Sequence, residues 1–218
     1  MPDLQREKAH MASHAGLVVG IDEAGRGPWA GPVTAAAAWL NPDHFDWLPD
    51  GLDDSKKLSR VKRRRIFADL KDGPHEFAVA SAPVSMIDEV GILKSTFWAM
   101  REAAQSLRAK LTSLGHGQID LCLVDGNLTP DLGVPASAIV KGDMLSCSIA
   151  AASVIAKETR DHLMVELAGA QDIYGWQRNM GYGTRDHAAA LQANGVSPHH
   201  RRSFAPIKRL LQGCYKAD

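Results

Sequence analysis

Residues 17–32, LVVGIDEAGRGPWAGP, constrain the fold more than any other part of the chain. An apolar run leads directly into two adjacent acids, Asp22 and Glu23, and then into a Gly-Arg-Gly turn. The run predicts a buried strand with both acids at its end. A carboxylate that leaves water costs several kcal/mol unless it is paired or bound to a cation, so we expect these acids to hold a metal ion. Arg26, which follows them, suggests an anionic substrate.

The balance of charge neither requires nor excludes a polyanionic partner. The chain has 218 residues, 45% of them hydrophobic, and its 25 Lys and Arg residues equal its 25 Asp and Glu residues. This composition is typical of one globular domain. The charges are segregated, however, because an acidic segment at 43–54 precedes a basic run. The basic run comprises Lys56, Lys57, Arg60, Lys62, Arg63, Arg64 and Arg65.

The cysteines and the apolar segments bound the cellular setting. Cys122, Cys147 and Cys214 are odd in number and have no CxxC spacing, which argues against a zinc site or a disulfide framework. The N-terminus lacks an apolar signal core, and no apolar stretch reaches the roughly 20 residues of a membrane span. We therefore expect a soluble, cytoplasmic protein with no membrane partner.

Hydrophobic periodicity predicts alternating strands and helices after a disordered tail at 1–15. Strands are predicted at 17–22, 32–40, 76–82, 119–124 and 136–140. Helices are predicted at 59–70, 92–111, 143–168, 184–193 and 204–211. The helix at 143–168 is rich in small residues, which would let it lie close against a sheet. The order of elements indicates an α/β sheet domain at 16–170 and a small helical C-terminal extension at 171–218.

The helix at 59–70 carries most of the basic run. Ser59 is suited to cap its first turn. Four apolar side chains are expected to face the core: Val61, Ile66, Phe67 and Leu70. The basic residues at 62–65 would then form a solvated face.

Four acids lie at predicted ends of elements: Asp22, Glu23, Asp125 and Asp143. A sheet brings strand ends together, and carboxylate oxygens suit Mg²⁺ or Mn²⁺. Two such ions about 3.5 to 4 Å apart can hydrolyse a phosphodiester. Taken singly, Asp125 could belong to an ordinary turn and Asp143 could cap a helix. Asp161 is predicted to have a structural role. On a continuous helix it would lie about 27 Å from Asp143, so the two could not ligate the same pair of ions.

The glycines of the first turn raise the possibility of a nucleotide-triphosphate loop. The spacing from Gly20 to Gly25 fits GxxxxGK[ST], but Arg26 and Gly27 follow where the motif needs Lys and then Ser or Thr. Acids inside the loop would also repel phosphates unless metal ions intervened. Close approach of the backbone to a nucleic-acid strand is the better use of these glycines.

Eight ordered motifs between residues 17 and 211 together resemble bacterial ribonuclease HII, the type 2 ribonuclease H. They are Asp22-Glu23-Ala24-Gly25-Arg26-Gly27-Pro28, Asp54-Ser55-Lys56-Lys57-Leu58, Val124-Asp125-Gly126-Asn127, Lys141-Gly142-Asp143, Ala150-Ala151-Ala152-Ser153-Val154-Ile155-Ala156-Lys157, Thr159-Arg160-Asp161, Gly181-Tyr182-Gly183-Thr184 and His199-His200-Arg201-Arg202-Ser203-Phe204. Trp29 departs from the pattern, which leads us to expect a smaller aliphatic residue there.

The resemblance implies a ribonuclease H-like mixed sheet flanked by helices. It also implies hydrolysis of the RNA strand of RNA/DNA hybrids and incision 5′ of single ribonucleotides in duplex DNA, leaving a 3′-hydroxyl and a 5′-phosphate. The catalytic metal ligands would be Asp22, Glu23, Asp125 and Asp143, holding two Mg²⁺ or Mn²⁺ ions. The partners would be these nucleic acids, and we expect a monomer.

The resemblance also implies residues that contact the substrate. Gly25, Arg26 and Gly27 would sense the 2′-hydroxyl, the group that distinguishes RNA from DNA. Tyr182 would stack on the deoxyribose that follows the ribonucleotide. Lys56 and Lys57 would contact phosphates, as their place in the DSKKL motif suggests.

Some assignments stay open at this point. Arg201 and Arg202 could clamp the duplex or attach the C-terminal extension to the sheet domain, and the preceding histidine pair is structural or faces substrate. Two other functions also compete: a type 1 ribonuclease H-like or integrase-like nuclease, and a non-catalytic nucleic-acid-binding domain, which would bind in a salt-sensitive way without a metal.

Overall fold

The fold is built on a mixed sheet in which the first strand is central. In the computed structural model, which describes residues 1–213, the strands are β1 (Leu17–Ala24), β2 (Val33–Trp39), β3 (Glu76–Ala82), β4 (Ile119–Asp125) and β5 (Ala136–Ile139). Their order across the sheet is β3-β2-β1-β4-β5. β2 runs antiparallel to both β1 and β3, whereas β4 runs parallel to β1 and β5. The carboxyl ends of β1, β4 and β5 therefore lie on the same edge of the sheet.

Helices cover both faces of this sheet. They are α1 (Gln5–Met11), α2 (Arg60–Asp72), α3 (Val84–Val90), α4 (Ile92–Ser113), α5 (Cys147–Ala168), α6 (Trp176–Asn179), α7 (Arg185–Asn194) and α8 (Ala205–Leu211), with 3₁₀ turns at Pro42–Trp47 and Gly142–Met144. α4 packs on one face and α5 on the other, with α2 beside α5. The predicted α/β sheet flanked by helices is confirmed. No helix within residues 1–213 has the length and apolarity needed to cross a bilayer.

The alternation of side chains along β1 divides the core into two layers. Val19 and Ile21 point towards α4, whereas Val18 and Gly20 point towards α5. A Cβ on Gly20 would overlap the backbone of Ser148 at the start of α5. The expectation that the small-residue helix lies close against the sheet is therefore confirmed.

α2 begins where the sequence predicts, but two of its side chains point the other way. The Ser59 hydroxyl caps the helix by accepting from the backbone N–H of Lys62. Val61, predicted to face the core, is 81% exposed. Arg63, predicted to be solvated, is buried and pairs with Glu158 and Asp161 of α5. The spacing of apolar residues along α2 cannot predict the burial of Arg63, because the acids that pair with it are distant in sequence. The structural assignment of Asp161 is confirmed.

α5 begins later than predicted, and this changes the setting of Asp143. Ser146 is extended and caps α5 by accepting from the N–H of Ile149, so the helix starts at Cys147. Asp143 lies instead in the preceding 3₁₀ turn, which follows Lys141 in a left-handed conformation (φ 58°). The prediction of a continuous helix from residue 143 is wrong at this end, because the Ser146 cap separates the turn from the helix.

The predicted disordered tail at 1–15 is wrong, because α1 forms there and packs against the start of α5. Glu7 is buried, and its Oε1 accepts from the Ser146 hydroxyl (2.6 Å), the Ser148 hydroxyl (2.7 Å) and the Ser148 N–H (3.0 Å). The carbonyl of Asp3 accepts from the Cys147 N–H at 3.0 Å. The first N–H groups of a helix have no partner within the helix, and residues 3–7 satisfy two of them.

The two described cysteines are packing residues. Cys122 and Cys147 are buried and form no disulfide, and burial raises the pKa of each thiol to about 12. Thiols held protonated in this way are poor nucleophiles. Cys214 lies outside the described residues.

We predict that Glu7→Ala destabilises the protein by about 1–3 kcal/mol, because it removes the acceptor shared by two buried hydroxyls and a helix N–H. The measurement is the free energy of unfolding from denaturant titration. The matched control is Gln5→Ala, an exposed position on the same helix. Equal stability of the two variants would contradict this role for Glu7.

Candidate active site

Three of the four predicted acids meet at the carboxyl ends of β1 and β4. Ile21 pairs with Val124 in these parallel strands, so Asp22 and Asp125 follow at neighbouring positions. Asp22, Asp125 and Asp143 each offer a carboxylate oxygen, and these oxygens all lie within 4.8 Å of one another. Asp22 and Asp143 are buried, and Asp125 is partly exposed. The group has the donor chemistry of a divalent-metal site.

Asp143 reaches this group through a local hydrogen bond. The Asp125 Oδ1 accepts from the N–H of Gly142 at 2.7 Å, which ties the 3₁₀ turn to the end of β4. A Cβ on Gly142 would lie 2.6 Å from Cδ1 of Ile149 and 3.4 Å from Oδ1 of Asp125, so the turn lies close to both side chains. One carboxylate is therefore both a candidate ligand and the support of its neighbour.

Glu23 does not join the three-acid group. Successive residues of a strand point to opposite faces, so Asp22 points towards α5 and Glu23 towards α4. Glu23 lines a groove with Phe97 and Met100 of α4, and its Oε1 lies 3.4 Å from Nη1 of Arg26. Its charge still acts on the site, since it raises the pKa of Asp22.

Burial and neighbouring negative charge raise the pKa values of Asp22, Glu23 and Asp143. Burial, followed by the charges of Glu23 and Asp125, raises the pKa of Asp22 well above its usual range. Burial, then Asp125 and Asp54, raises the pKa of Asp143 to about 6. Burial also raises the pKa of Glu23, and Arg26 partly opposes the shift. Such crowding of like charge is the condition that a bound cation relieves.

Lys56 faces these acids, whereas Lys57 does not. Burial alone would lower the pKa of Lys56, but four nearby carboxylates outweigh this effect and raise it. These carboxylates are Asp22, Asp143, Asp54 and Asp125. The Nζ of Lys57 lies instead 3.6 Å from Oδ1 of Asp53. The two adjacent lysines therefore have different surroundings.

Two further polar residues, which the sequence alone did not indicate as site residues, belong to this site. Asp54 is buried beside Asp143 and raises the pKa of that acid, and its Oδ1 accepts from the Lys56 N–H at 2.9 Å. Ser153 of α5 hydrogen-bonds to Asp22, and its hydroxyl lies 2.9 Å from that of Ser55. Asp54 lies in the motif Asp54-Ser55-Lys56-Lys57-Leu58, and Ser153 lies in the small-residue motif of α5, so these two motifs are the signal that could have found them.

Two buried arginines hold the Gly-Arg-Gly loop. Arg201 donates to the carbonyls of Gly25 (2.6 Å) and Arg26 (2.9 Å), and also to those of Gly31 and Pro32. Arg160 donates to the carbonyls of Ala30, Pro32 and Met180. Arg201 therefore attaches the C-terminal segment to the sheet domain, which is one of the two roles left open above. The neighbouring Arg202 side chain is exposed.

This anchoring fixes the direction in which the loop presents its donors. In a trans peptide the carbonyl and the next N–H point in opposite directions. The Gly25 and Arg26 carbonyls point to Arg201, so the N–H groups of Arg26 and Gly27 point away from it. The loop thus directs consecutive peptide donors away from the protein interior.

Tyr182 lies next to this loop and is accessible. Its side chain is 47% exposed, and a Cβ on Gly27 would lie 3.7 Å from its ring. Its backbone is fixed by the Asn179 carbonyl and by Nδ1 of His187. The ring is therefore held at the surface rather than used as core.

Aromatic rings support the Tyr182 segment from beneath. The Nε2 atoms of His187 and His200 lie 3.0 Å apart, and burial lowers the pKa of His200 to about 4, which keeps it neutral. Trp29 packs on His187, and its indole fills the space that a Cβ on Gly183 would take. His200 is therefore structural, and Gly183 accommodates the bulk of Trp29.

We predict that Arg201→Lys destabilises the protein by about 2–4 kcal/mol, because one ammonium cannot replace a guanidinium that serves four carbonyls. Denaturant unfolding measures this change. Arg202→Lys is the matched control and is expected to change stability by less than about 0.5 kcal/mol. Similar losses in both variants would refute the anchoring role of Arg201.

Comparison with known proteins places this chain in a family. The family model described as Ribonuclease HII matches residues 19–207. The chain is 48% identical to the ribonuclease HII of Rhodospirillum rubrum over 97% of this chain and 92% of that protein. It is 46% identical to the ribonuclease HII of Ruegeria pomeroyi over 96% and 85%, respectively.

Solved structures give the same fold. Ribonuclease H2 from Pyrococcus horikoshii OT3 superposes with a TM-score of 0.72 at 25% identity, covering 90% of this chain and 98% of that one. Bst-RNase HIII in complex with Mn²⁺ gives a TM-score of 0.70 at 20% identity, covering 94% and 72%. The predicted ribonuclease H-like fold is confirmed. The match also favours the type 2 enzyme over the competing nuclease and binding-domain hypotheses, and the chain belongs to the ribonuclease HII family of metal-dependent ribonucleases.

Proposed function

We propose that this chain hydrolyses the RNA strand of RNA/DNA hybrids and incises 5′ of single ribonucleotides embedded in duplex DNA, using two divalent cations. The observation that carries the proposal is the group of three carboxylates within 4.8 Å, beside a loop that turns peptide donors outward. Cytoplasmic residence and a monomeric state stay predictions.

The residues present fit a divalent-metal centre. Asp22, Asp125 and Asp143 would hold the ions from the α5 side of the sheet, and Glu23 would contribute from the α4 side. All of these donors are hard carboxylate oxygens, which suit Mg²⁺ or Mn²⁺ and disfavour softer ions. The raised pKa values of Asp22 and Asp143 support this assignment, since negative charge is left uncompensated there.

When bound, two such ions supply activation of water and neutralisation of the charge on the leaving oxygen. The chain's own residues fix the ligands in advance. The Gly142 N–H donates to Asp125, and Ser153 hydrogen-bonds to Asp22. The expected products are a 3′-hydroxyl and a 5′-phosphate.

The loop and Tyr182 are assigned to recognition of the ribonucleotide. The outward N–H groups of Arg26 and Gly27 suit a 2′-hydroxyl or an adjacent phosphate oxygen, which accept hydrogen bonds. Gly25 has φ 96°, and a Cβ there would overlap Arg160, so glycine is needed for the loop to sit on its anchor. Tyr182 is assigned to stack on the next deoxyribose. Lys56 and Lys57 are assigned to phosphates, with Lys56 nearer the acids.

We predict that Asp125→Asn reduces cleavage by about 10³-fold or more while leaving the fold intact. Asparagine keeps the oxygen that accepts from Gly142 but removes the charge. The measurement is metal-dependent cleavage of a duplex with one ribonucleotide and of an RNA/DNA hybrid, with product ends identified, in Mg²⁺, Mn²⁺ or EDTA.

The matched control is Asp131→Asn, an exposed acid in the loop that follows β4, which is expected to cleave normally. Removal of the metal with EDTA should abolish cleavage by both this control and the parent. Undiminished cleavage by Asp125→Asn, or cleavage in EDTA, would refute the assignment. Cleavage of the hybrid alone would refute incision at single ribonucleotides.

We predict that Tyr182→Ala lowers kcat/KM on the single-ribonucleotide duplex by about tenfold, or roughly 1.4 kcal/mol, because a stacking contact is lost. Tyr182→Phe keeps the ring and should retain most activity. The all-RNA/DNA hybrid, which has no junction, should be affected less by Tyr182→Ala. Equal losses on both substrates would contradict a role at the junction.

A further inference from the structure

A second cluster of metal-ligating side chains lies apart from the acids, where α1 meets the start of β4. It consists of His10, His14 and Asp120, and one ligand atom from each lies within 4.8 Å of the others. None of these residues belongs to the acid group or to the loop that faces substrate. His14 is exposed, and the other two are partly buried.

The end of α1 places the two histidines beside each other. His10 lies in the last turn, and the backbone N–H of His14 donates to the His10 carbonyl at 3.1 Å. Residues four apart on a helical turn share a face. The imidazoles are stacked, with centroids 4.2 Å apart and an interplanar angle of 4°. Because the nitrogen lone pairs of parallel rings do not converge, the exposed His14 ring would turn out of this stack to share an ion with His10.

Asp120 completes the cluster from the sheet. Its Oδ2 lies 2.6 Å from Nε2 of His10. Gly16 provides the room for this approach, because a Cβ on Gly16 would overlap the Asp120 side chain. A helix end, a strand and a glycine contact thus combine to bring two imidazoles and a carboxylate together.

We propose that His10, His14 and Asp120 form a binding site for a borderline divalent transition metal, with Zn²⁺ as the expected occupant. Two imidazole nitrogens and one carboxylate oxygen are a known zinc ligand set that leaves one position open for water. Imidazole donors favour Zn²⁺ over Mg²⁺, whereas the all-carboxylate group at Asp22 has the opposite preference.

The site would join α1 to the sheet by a metal bridge. α1 also carries Glu7, which holds the Ser146 cap and the N–H of Ser148 at the start of α5. The 3₁₀ turn with Asp143 directly precedes that cap. Occupancy would therefore stabilise the N-terminal support of the Asp143 turn without contributing a ligand to it.

The test is calorimetric titration of Zn²⁺ into the metal-stripped full chain carrying Asp125→Asn, which weakens competition from the acid group. One Zn²⁺ should bind per chain. His14→Ala, an exposed position, and Asp120→Asn should each weaken that binding by about tenfold or more, because the first removes a ligand and the second removes the charge of a ligand. The matched control is His162→Ala, an exposed histidine paired with Glu166 on α5, which should bind as the parent does.

Circular dichroism establishes that each variant is folded before titration. Absence of Zn²⁺ binding by the chain that carries only Asp125→Asn would overturn the proposal. Binding that His14→Ala and Asp120→Asn leave unchanged would also overturn it, because the Zn²⁺ would then occupy another site. Since the readout is binding, failure here leaves the proposed nuclease function unaffected.

Discussion

The close packing of α5 against β1 is the contact on which the rest of the site depends. Gly20 has no side chain, so the backbone of α5 at Ser148 and Ile149 lies directly on the strand. A helix at this distance carries Ser153 to Asp22 and Arg160 to the loop that follows the strand. A larger residue at position 20 would push α5 outward, because a packed interior transmits displacement. The shift would move Ser153 away from Asp22 and Arg160 away from the loop at the same time.

The second constraint is the use of arginine as a scaffold for backbone rather than as a partner for acids. The guanidinium groups of Arg160 and Arg201 are buried, and their hydrogen bonds are to carbonyl oxygens. Burial lowers the pKa of Arg160 to about 10 and that of Arg201 to about 9, so each remains charged near neutral pH. Five donors in a rigid fork can serve several carbonyls at once, which a lysine cannot do. The inward turn of these carbonyls is also what directs the loop N–H groups outward.

The sequence predicted the strands and the sheet class, because these follow from local apolar runs. It predicted that four acids come together, and the structure brings three of them together, Asp22, Asp125 and Asp143. It did not predict what depends on partners distant in the chain. Arg63 is buried only because α5 supplies two carboxylates, and α1 is ordered because Glu7 meets the cap of α5. Adjacent residues within a strand point to opposite faces, so Asp22 and Glu23 would have been separated if β1 had been predicted to include both. The strand was predicted to end at residue 22, because its extension to Ala24 depends on pairing with other strands. The roles in substrate recognition stay predictions from resemblance.

The placement of Glu23 also shapes the electrostatics of the proposed reaction. One basic side chain lies near the acids on each face of the sheet. Arg26 pairs with Glu23 on the α4 side, and Lys56 faces the three acids on the α5 side. Both cations lie on exposed loops, so they offset the buried negative charge without being locked to it. In the proposed function, divalent ions would coordinate the acids and neutralise their charge. Arg26 and Lys56 would then be free to contact the phosphates of the substrate. Metal binding would free the cations for the phosphates, and nucleic-acid binding would free the carboxylates for the metal ions. The two binding events would therefore favour one another.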